Sequence, residues 1–150
     1  MFVIIVFSIV LLDQLSKYTI QTTCVLNETI SIVNGIFDIT YVHNYGAAFS
    51  ILQNKQTFLI IFTTIAMIAI TIYTLKLQKS IPRAEVAAFA LIVAGGLGNL
   101  INRIMYGYVV DFLNIHILPV FNIADISVCL GSALLVYSVI ILEPKLNKRK

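Results

Sequence analysis

Long runs of uncharged, mostly apolar residues constrain this chain more than any other feature of its sequence. Three such runs, of 17 to 20 residues, lie between consecutive charged side chains at 56–75, 86–102 and 126–142. A helix rises about 1.5 Å per residue and needs roughly 20 residues to cross a hydrocarbon core of about 30 Å. Since 59% of the 150 residues are hydrophobic and only 11% are charged, the sequence predicts an integral membrane protein.

The N-terminal segment is a fourth candidate, although only twelve residues precede Asp13. That length is too short to span a bilayer, so the segment either is a cleavable signal peptide or continues as a helix through Asp13 and Lys17. A signal peptide would need a basic leader and a small-residue cleavage site, and neither is present. We therefore predict a single integral membrane domain over residues 1–150, with four transmembrane helices near 1–20, 57–75, 85–105 and 125–142.

The distribution of basic residues predicts the orientation. Seven of the ten Lys and Arg residues lie in two places, the connection between the second and third predicted helices and the C-terminal tail: Lys76, Lys79, Arg83, Lys145, Lys148, Arg149 and Lys150. Because cytoplasmic segments collect Lys and Arg, both termini are predicted to be cytoplasmic. The extracytoplasmic side then receives the connections 21–56 and 106–124, and five of the seven acids lie on or near it: Asp13, Glu28, Asp38, Asp111 and Asp125.

The first extracytoplasmic connection contains a β signature. The segment "ETISIVNGIFDITYVH" places two β-branched and aromatic runs around Asn34 and Gly35. Asn-Gly readily takes the positive φ angles of a tight hairpin turn. We predict a small extracytoplasmic β region over residues 22–55.

Polar residues also occur within the predicted helices. Asp13 and Lys17 are four residues apart and share one face of the first helix, which allows an ion pair; alternatively, Lys17 extends to the membrane surface with Asp13 as a passive partner. The third helix has a polar stripe beside a small-residue stripe, for which close packing is the expected role. The polar stripe consists of Gly95, Asn99, Asn102, Arg103 and Tyr106, and the small residues are Ala90, Ala94 and Gly98.

Two aspartates flank the second extracytoplasmic connection. Asp111 follows the outer end of the third helix and Asp125 begins the fourth, so both lie at the same depth. Two carboxylates that share a partly desolvated pocket share one proton, and such a pair can activate water as general base and general acid. The alternative is that Asp125 only caps the fourth helix while Asp111 is a surface loop residue. The residues alone leave both interpretations open.

Four sequence blocks resemble the signature of the bacterial lipoprotein signal peptidases, the type II signal peptidases. In order, they are "DQLSK", "HNYGAAFS", "GGLGNLINRIMYGYVVDF" and "FNIADI", and the resemblance runs from about residue 11 to residue 132. It implies an all-α membrane protein: a four-transmembrane-helix bundle with a small extracytoplasmic β-cradle between helices 1 and 2. It also implies an aspartic endopeptidase of the bacterial cytoplasmic membrane that acts without cofactor or metal, and a monomer is the family expectation.

The implied substrates are diacylglyceryl-modified prolipoproteins, cut just before the lipidated cysteine. The resemblance assigns the catalytic dyad to Asp111 and Asp125. Its supporting residues match Asp13, Lys17, Asn44, Gly46, Gly98, Asn99, Arg103, Asn122 and Ala124. One departure is Asn102, where many members have Asp; we expect it to weaken whatever orients Arg103.

Physical roles can be suggested for these positions. We expect Asn44, Asn99 and Asn122 to hydrogen-bond the extended substrate backbone, and Asp13 and Lys17 to brace the polar end of the site. The segment Gly46, Ala47, Ala48 and Phe49 would suit a loop close to an apolar substrate.

Other residues and other classes of function have less support. Cys24 and Cys129 lack metal or redox spacing, and His43 and His116 lack nearby ligands at that spacing, so no metal is expected. Tyrosines near the outer surface fit an aromatic belt, and the basic tail contacts lipid rather than nucleic acid. A proton- or ion-coupled carrier using the same carboxylates is the alternative function, and a non-catalytic scaffold is a third. Replacement of either aspartate distinguishes them.

Overall fold

Four long helices form the body of the protein in the computed structural model, which describes residues 1–46 and 55–142. The helices are α1 (Phe2–Thr23), α2 (Gln56–Leu77), α3 (Arg83–Tyr106) and α4 (Ile123–Tyr137), and α4 continues into a π-helical turn, Ser138–Leu142. Each is long and apolar enough to cross a membrane when α4 is taken with its extension to Ile141. The predicted four-helix membrane fold is therefore confirmed. The expected substrate loop at Ala47, Ala48 and Phe49 lies outside the described residues.

Helix α3 is the centre of the bundle. It packs against α1, α2 and α4 and is the most buried of the four spans. Its small residues Ala88, Ala90 and Ala94 are completely buried, whereas large apolar side chains on α1, α2 and α4 are exposed. Lipid is as apolar as these side chains, so the bundle is held by close packing of small residues, as predicted from the stripe on α3.

Two glycines of α3 permit backbone-level contact with the other helices. A Cβ atom at Gly95 would collide with the carbonyl oxygen of Ala124 on α4, and one at Gly98 would lie 2.6 Å from Asp13 Oδ2 on α1. Either contact is closer than real Cβ atoms approach, so these positions need glycine. The consequence is that α1, α3 and the start of α4 meet around one point.

A three-stranded antiparallel sheet lies outside the helices, in the order β1 (Thr29–Val33), β2 (Phe37–Asn44) and β3 (Val109–Asn114). Strands β1 and β2 form the hairpin predicted around Asn34 and Gly35. The turn spans the three residues 34–36, and of these only Gly35 has a positive φ, of 74°. Glycine tolerates this angle because it has no Cβ atom.

The third strand extends the predicted β-cradle. Strands β1 and β2 lie between the first two helices as predicted, and β3 is added from the connection between α3 and α4. In the register of β2 and β3, Val42 pairs with Asp111 and Asn44 pairs with Val109. The sheet therefore joins the connection between α1 and α2 to the connection between α3 and α4, and Asp111 lies on a strand rather than in a loop.

The contact between Gly95 and Ala124 predicts that Gly95→Ala destabilises the protein. The added methyl group has no free space, so α4 must move away from α3, a kind of overpacking that typically costs about 1–3 kcal/mol. We expect the melting temperature of the detergent-solubilised protein to fall by several degrees. The control is Ala133→Val, which adds methyl groups on an exposed face of α4. An equal effect of the two substitutions would contradict the packing argument.

Candidate active site

Asp111 and Asp125 line the same groove, which has a volume of about 710 Å³. Asp111 is buried on β3, and Asp125 is half-buried in the first turn of α4. The walls of the groove come from the ends of β2 and β3, the outer part of α3, the first two turns of α4 and residues 118–121. The structure therefore brings together the two carboxylates that the sequence placed at equal depth.

Asn122 connects the two aspartates directly. As the N-cap of α4, its Oδ1 accepts from the backbone N–H of Asp125 at 3.0 Å, while Asp125 Oδ2 accepts from the backbone N–H of Asn122 at 3.1 Å. Its Nδ2 donates to Asp111 Oδ1 at 2.6 Å. Asp125 thus takes part in a capping box and also faces the groove, so the two roles considered from the sequence coexist.

Asn99 supports Asp125 from α3. Its Nδ2 donates to Asp125 Oδ1 at 2.8 Å, and its Oδ1 accepts from Lys17 Nζ at 2.8 Å and from Asn122 Nδ2 at 3.1 Å. An ammonium group can only donate, so Lys17 requires the oxygen of the Asn99 amide to face it. The amide nitrogen must then face Asp125.

Asp13 and Lys17 form a buried ion pair. The Lys17 Nζ to Asp13 Oδ2 distance is 2.8 Å, and the side chains are 1% and 0% exposed. This burial excludes the alternative in which Lys17 extends to the membrane surface. Asp13 Oδ1 also accepts from the backbone N–H of Ala124 at 2.9 Å, so the pair is fastened to the first turn of α4.

Asn44, Gly46 and Arg103 form the opposite side of the site. Asn44 Nδ2 donates to Asp111 Oδ2 at 2.9 Å, and Asn44 Oδ1 accepts from the backbone N–H of Gly46 at 2.9 Å. Arg103 Nη2 donates to the carbonyl oxygen of Gly46 at 3.0 Å. The guanidinium therefore holds the end of β2 beside the groove.

The three asparagines of the site each face one of the two aspartates. The expectation that Asn44, Asn99 and Asn122 bind the substrate backbone stays a prediction, and in the structure the amide nitrogen of each one donates to Asp111 or Asp125. Amide donors committed in this way orient the carboxylates. The sequence showed that these residues belong to the site but not which groups they face.

Gln14 and Asn102 are site residues whose roles were not found from the sequence. Gln14 Nε2 donates to Asp13 Oδ2 at 2.9 Å and to the carbonyl oxygen of Gly98 at 3.0 Å. Asn102 Nδ2 donates to Gln14 Oε1 at 3.2 Å, and Asn102 Oδ1 accepts from the backbone N–H of Val110 at 3.2 Å. Asn102 was expected to affect Arg103, yet its hydrogen bonds lead to Gln14 and Val110. Its position on the polar stripe of α3 was the available signal.

Burial makes Asp111 an unusually weak acid. Desolvation, with a further contribution from the charge of Asp125, raises the pKa of Asp111 to about 7, while the hydrogen bonds from Asn44 and Asn122 oppose the shift. Near neutral pH the Asp111 carboxyl therefore exchanges a proton readily. This is the property required of a general acid or base.

Among the hydrogen bonds of the described residues, none joins a histidine or cysteine to Asp111 or Asp125, although His43 lines the groove. His43 stacks on Tyr108 with ring centroids 3.6 Å apart and shares a 2.8 Å hydrogen bond with the Tyr41 hydroxyl, and burial lowers the pKa of His43. His116 does have a carboxylate partner, since its Nε2 lies 3.0 Å from Asp38 Oδ2. Both cysteines are free thiols, and Cys129 lines the groove.

Comparison with known proteins gives consistent matches over nearly the whole chain. A sequence model of the family described as Signal peptidase (SPase) II matches residues 5–141. A lipoprotein signal peptidase of Halothermothrix orenii is 42% identical over 133 residues, covering 89% of this chain and 90% of the relative. One of Moorella thermoacetica is 40% identical over 141 residues, covering 93% of each. A bacterial membrane enzyme solved by the in meso method at 2.3 Å resolution has a TM-score of 0.86 and 36% identity, over 98% of this chain and 90% of that one.

The raised pKa of Asp111 predicts a pH-dependent stability. Its carboxyl has an ordinary pKa of 3.8 when unfolded and about 7 in the fold, so the folded state binds the proton more tightly. The resulting stabilisation is present in full below the lower value and is lost progressively up to the higher one. Asp111→Asn cannot titrate. The quantity to compare is the melting temperature of Asp111→Asn minus that of the unaltered protein, both in detergent. We expect this difference to be several degrees larger at about pH 8 than at about pH 5.

The comparison of the two proteins at each pH removes the contributions of titrating groups that do not interact with Asp111. A difference in melting temperature that stays constant between the two pH values would contradict a raised pKa at Asp111.

Proposed function

The chain belongs to the lipoprotein signal peptidase (signal peptidase II) family, a family of aspartic proteases, and we propose that it removes signal peptides from diacylglyceryl-modified bacterial prolipoproteins. The proposed cut lies immediately before the lipidated cysteine, and Asp111 and Asp125 are the proposed catalytic dyad. The observation that carries this proposal is that both carboxylates line one groove and are joined through Asn122.

The two aspartates receive different roles because their surroundings differ. Asp125 lies in the first turn of α4, where unpaired N–H groups and the helix dipole favour a negative charge. Its two oxygens accept from Asn99 Nδ2 and from the backbone N–H of Asn122. Asp111 is 2% exposed, and its pKa is raised to about 7. We assign the carboxylate base to Asp125 and the protonated acid to Asp111.

The proposed reaction needs no covalent intermediate. Asp125 takes a proton from water as the water oxygen bonds to the scissile carbonyl carbon, and Asp111 gives its proton to the carbonyl oxygen. As the tetrahedral intermediate collapses, Asp111 takes a proton back from one of its two hydroxyl groups, the C–N bond breaks and Asp125 gives its proton to the leaving nitrogen. The products are the signal peptide with a new carboxyl group and the lipidated cysteine with a free amino group.

The position of the groove suits a substrate that arrives through the lipid. The groove lies where α3 ends and α4 begins, beside the exposed apolar faces of the bundle. We propose that this end is extracytoplasmic and that both termini are cytoplasmic in the bacterial inner membrane, as the basic residues indicate. We also propose, from the resemblance to the family, that the enzyme acts as a monomer in contact with membrane lipids.

Substitution of either dyad residue is expected to abolish cleavage. Purified protein in detergent is mixed with a diacylglyceryl-modified prolipoprotein, and the released signal peptide is measured for wild type, Asp111→Asn and Asp125→Asn. Each near-isosteric change removes one acid or base, so we expect the rate to fall by about 10²-fold to 10⁴-fold or more. The matched control is Asp38→Asn, on the same sheet but outside the groove, which is expected to cleave at nearly the wild-type rate.

Folding of each variant is checked by its melting temperature. A folded Asp111→Asn or Asp125→Asn protein that still cuts at a comparable rate would refute the dyad. An unaltered protein that does not cut, yet moves protons or ions across proteoliposomes in an aspartate-dependent way, would establish the carrier function instead.

The acid role of Asp111 predicts a decline in activity at alkaline pH. Because the proton of Asp111 is lost as the pH rises through about 7, the dyad then carries two charges and has no proton to donate. We expect kcat to decrease above about pH 7 and also in strong acid, where both carboxyls are protonated. Initial rates measured from about pH 4 to about pH 9 test this, and a rate that stays constant to about pH 9 would contradict the assignment.

A further inference from the structure

The strand that carries Asp111 is bonded along both of its edges. One edge of β3 pairs with β2. On the other edge, the Val110 N–H donates to Asn102 Oδ1 at 3.2 Å, and the Val110 carbonyl oxygen accepts from Asn122 Nδ2 at 3.3 Å. The backbone of Phe121 continues this edge by bonding Phe112 and Leu113. Asn102 and Asn122 therefore hold the residue next to Asp111 from the side opposite β2.

The orientation of the Asn102 amide is determined by residues on α1. Both donor positions of Gln14 Nε2 are occupied, by Asp13 Oδ2 and by the carbonyl oxygen of Gly98. The oxygen of Gln14 must then face Asn102, which requires the Asn102 nitrogen to face Gln14 and its oxygen to face the Val110 N–H. Each amide thus fixes the next one, starting from the buried carboxylate of Asp13.

Neither residue touches the groove. Gln14 is half-buried and Asn102 is 1% exposed, and both lie outside the groove lining. Direct contact with the substrate is therefore not their role. Within residues 1–46 and 55–142, their side-chain hydrogen bonds join them to each other and lead to Asp13, to Gly98 and to the strand of Asp111.

We infer that Gln14 and Asn102 are positioning residues that place Asp111 for catalysis, by a chain of hydrogen bonds from Asp13 through both amides to the Val110 N–H. This inference rests on the proposed function, because it concerns the same dyad. A misplacement of about 1 Å can cost about 10²-fold in rate, so small movements of β3 matter. The essential group is the oxygen of residue 102 that accepts from Val110.

The experiment measures kcat and KM for prolipoprotein cleavage, together with the melting temperature, for Asn102→Leu, Gln14→Met, the double variant and Asn102→Asp. We expect Asn102→Leu to lower kcat by about 10-fold to 100-fold with KM within about twofold, because the groove walls are unchanged. Gln14→Met leaves Asn102 in place but unoriented, so its loss of kcat should be smaller. Asn102→Asp keeps an oxygen for the Val110 N–H and should recover most of the loss.

The double variant tests whether the two residues act as one unit. If they form a chain, removal of Gln14 has no further effect once Asn102 is gone, and the double variant should match Asn102→Leu. If instead the fold-losses in kcat of the two single variants multiply in the double variant, Gln14 and Asn102 act independently and the inference is overturned. Thr74→Val is the control for a buried polar group, since Thr74 is fully buried on α2 and its hydroxyl donates to the Ile70 carbonyl oxygen of the same helix; it should leave kcat unchanged.

Failure of this inference is distinguishable from failure of the proposed function. If wild type does not cleave, the proposed function fails. If wild type cleaves and Asp111→Asn is inert, but folded Asn102→Leu cleaves at the wild-type rate, only the positioning role is refuted. If Asn102→Leu does not fold, Gln14→Met decides, and an unchanged kcat in that variant overturns the inference.

Discussion

The buried ion pair of Asp13 and Lys17 is the interaction on which the candidate active site depends. From Lys17 a chain of hydrogen bonds runs through Asn99 to Asp125, and from Asp13 a second chain runs through Gln14 and Asn102 to the strand of Asp111. Asp13 also holds the first turn of α4. A buried pair of charges contributes little net stability, since desolvation offsets the attraction, but loss of one partner typically costs about 3–5 kcal/mol. Its value here is that it orients neutral amides, which have no preferred direction of their own.

The membrane explains why the site lies where it does. Within the hydrocarbon core, backbone groups must be satisfied inside helices, so strands and loops are restricted to the ends of the bundle. Strand β3 and the cap of α4 lie at such an end, and the asparagine side chains satisfy backbone groups there that no helix can satisfy. Asn122 also donates to Asp111 through its amide nitrogen and to Asp125 through its backbone N–H. One residue therefore both satisfies backbone groups at this end of the bundle and orients the two aspartates.

Much of the fold could be predicted because transmembrane length and the Asn-Gly turn are local signals. Strand β3 could not, since "VVDFLN" is short and its partner, β2, lies more than 60 residues earlier in the chain. The site residues were identified from the resemblance to the family. That Asp13 and Lys17 share one face of α1 was predicted from their helical spacing. The direction of each amide was not predictable, because an asparagine donates and accepts equally well and only its neighbours decide. For that reason the hydrogen bonds of Asn102 to Gln14 and Val110 were not predicted, although Asn102 itself was named from the sequence.

The spacing of Asp13 and Lys17 also has a consequence for the synthesis of the protein. Asn99, the partner that Lys17 contacts in the finished fold, lies 82 residues later in the chain, so α1 enters the bilayer before α3 exists. Unpaired charges would oppose that entry at about 2.5–3.5 kcal/mol each near the helix centre. Because the two residues are one helical turn apart, each neutralises the other within α1 itself. Helix α1 can therefore remain in the lipid with no net charge from this pair. When α3 and α4 insert, Lys17 and Asp13 gain their hydrogen bonds to Asn99 and to the backbone of Ala124.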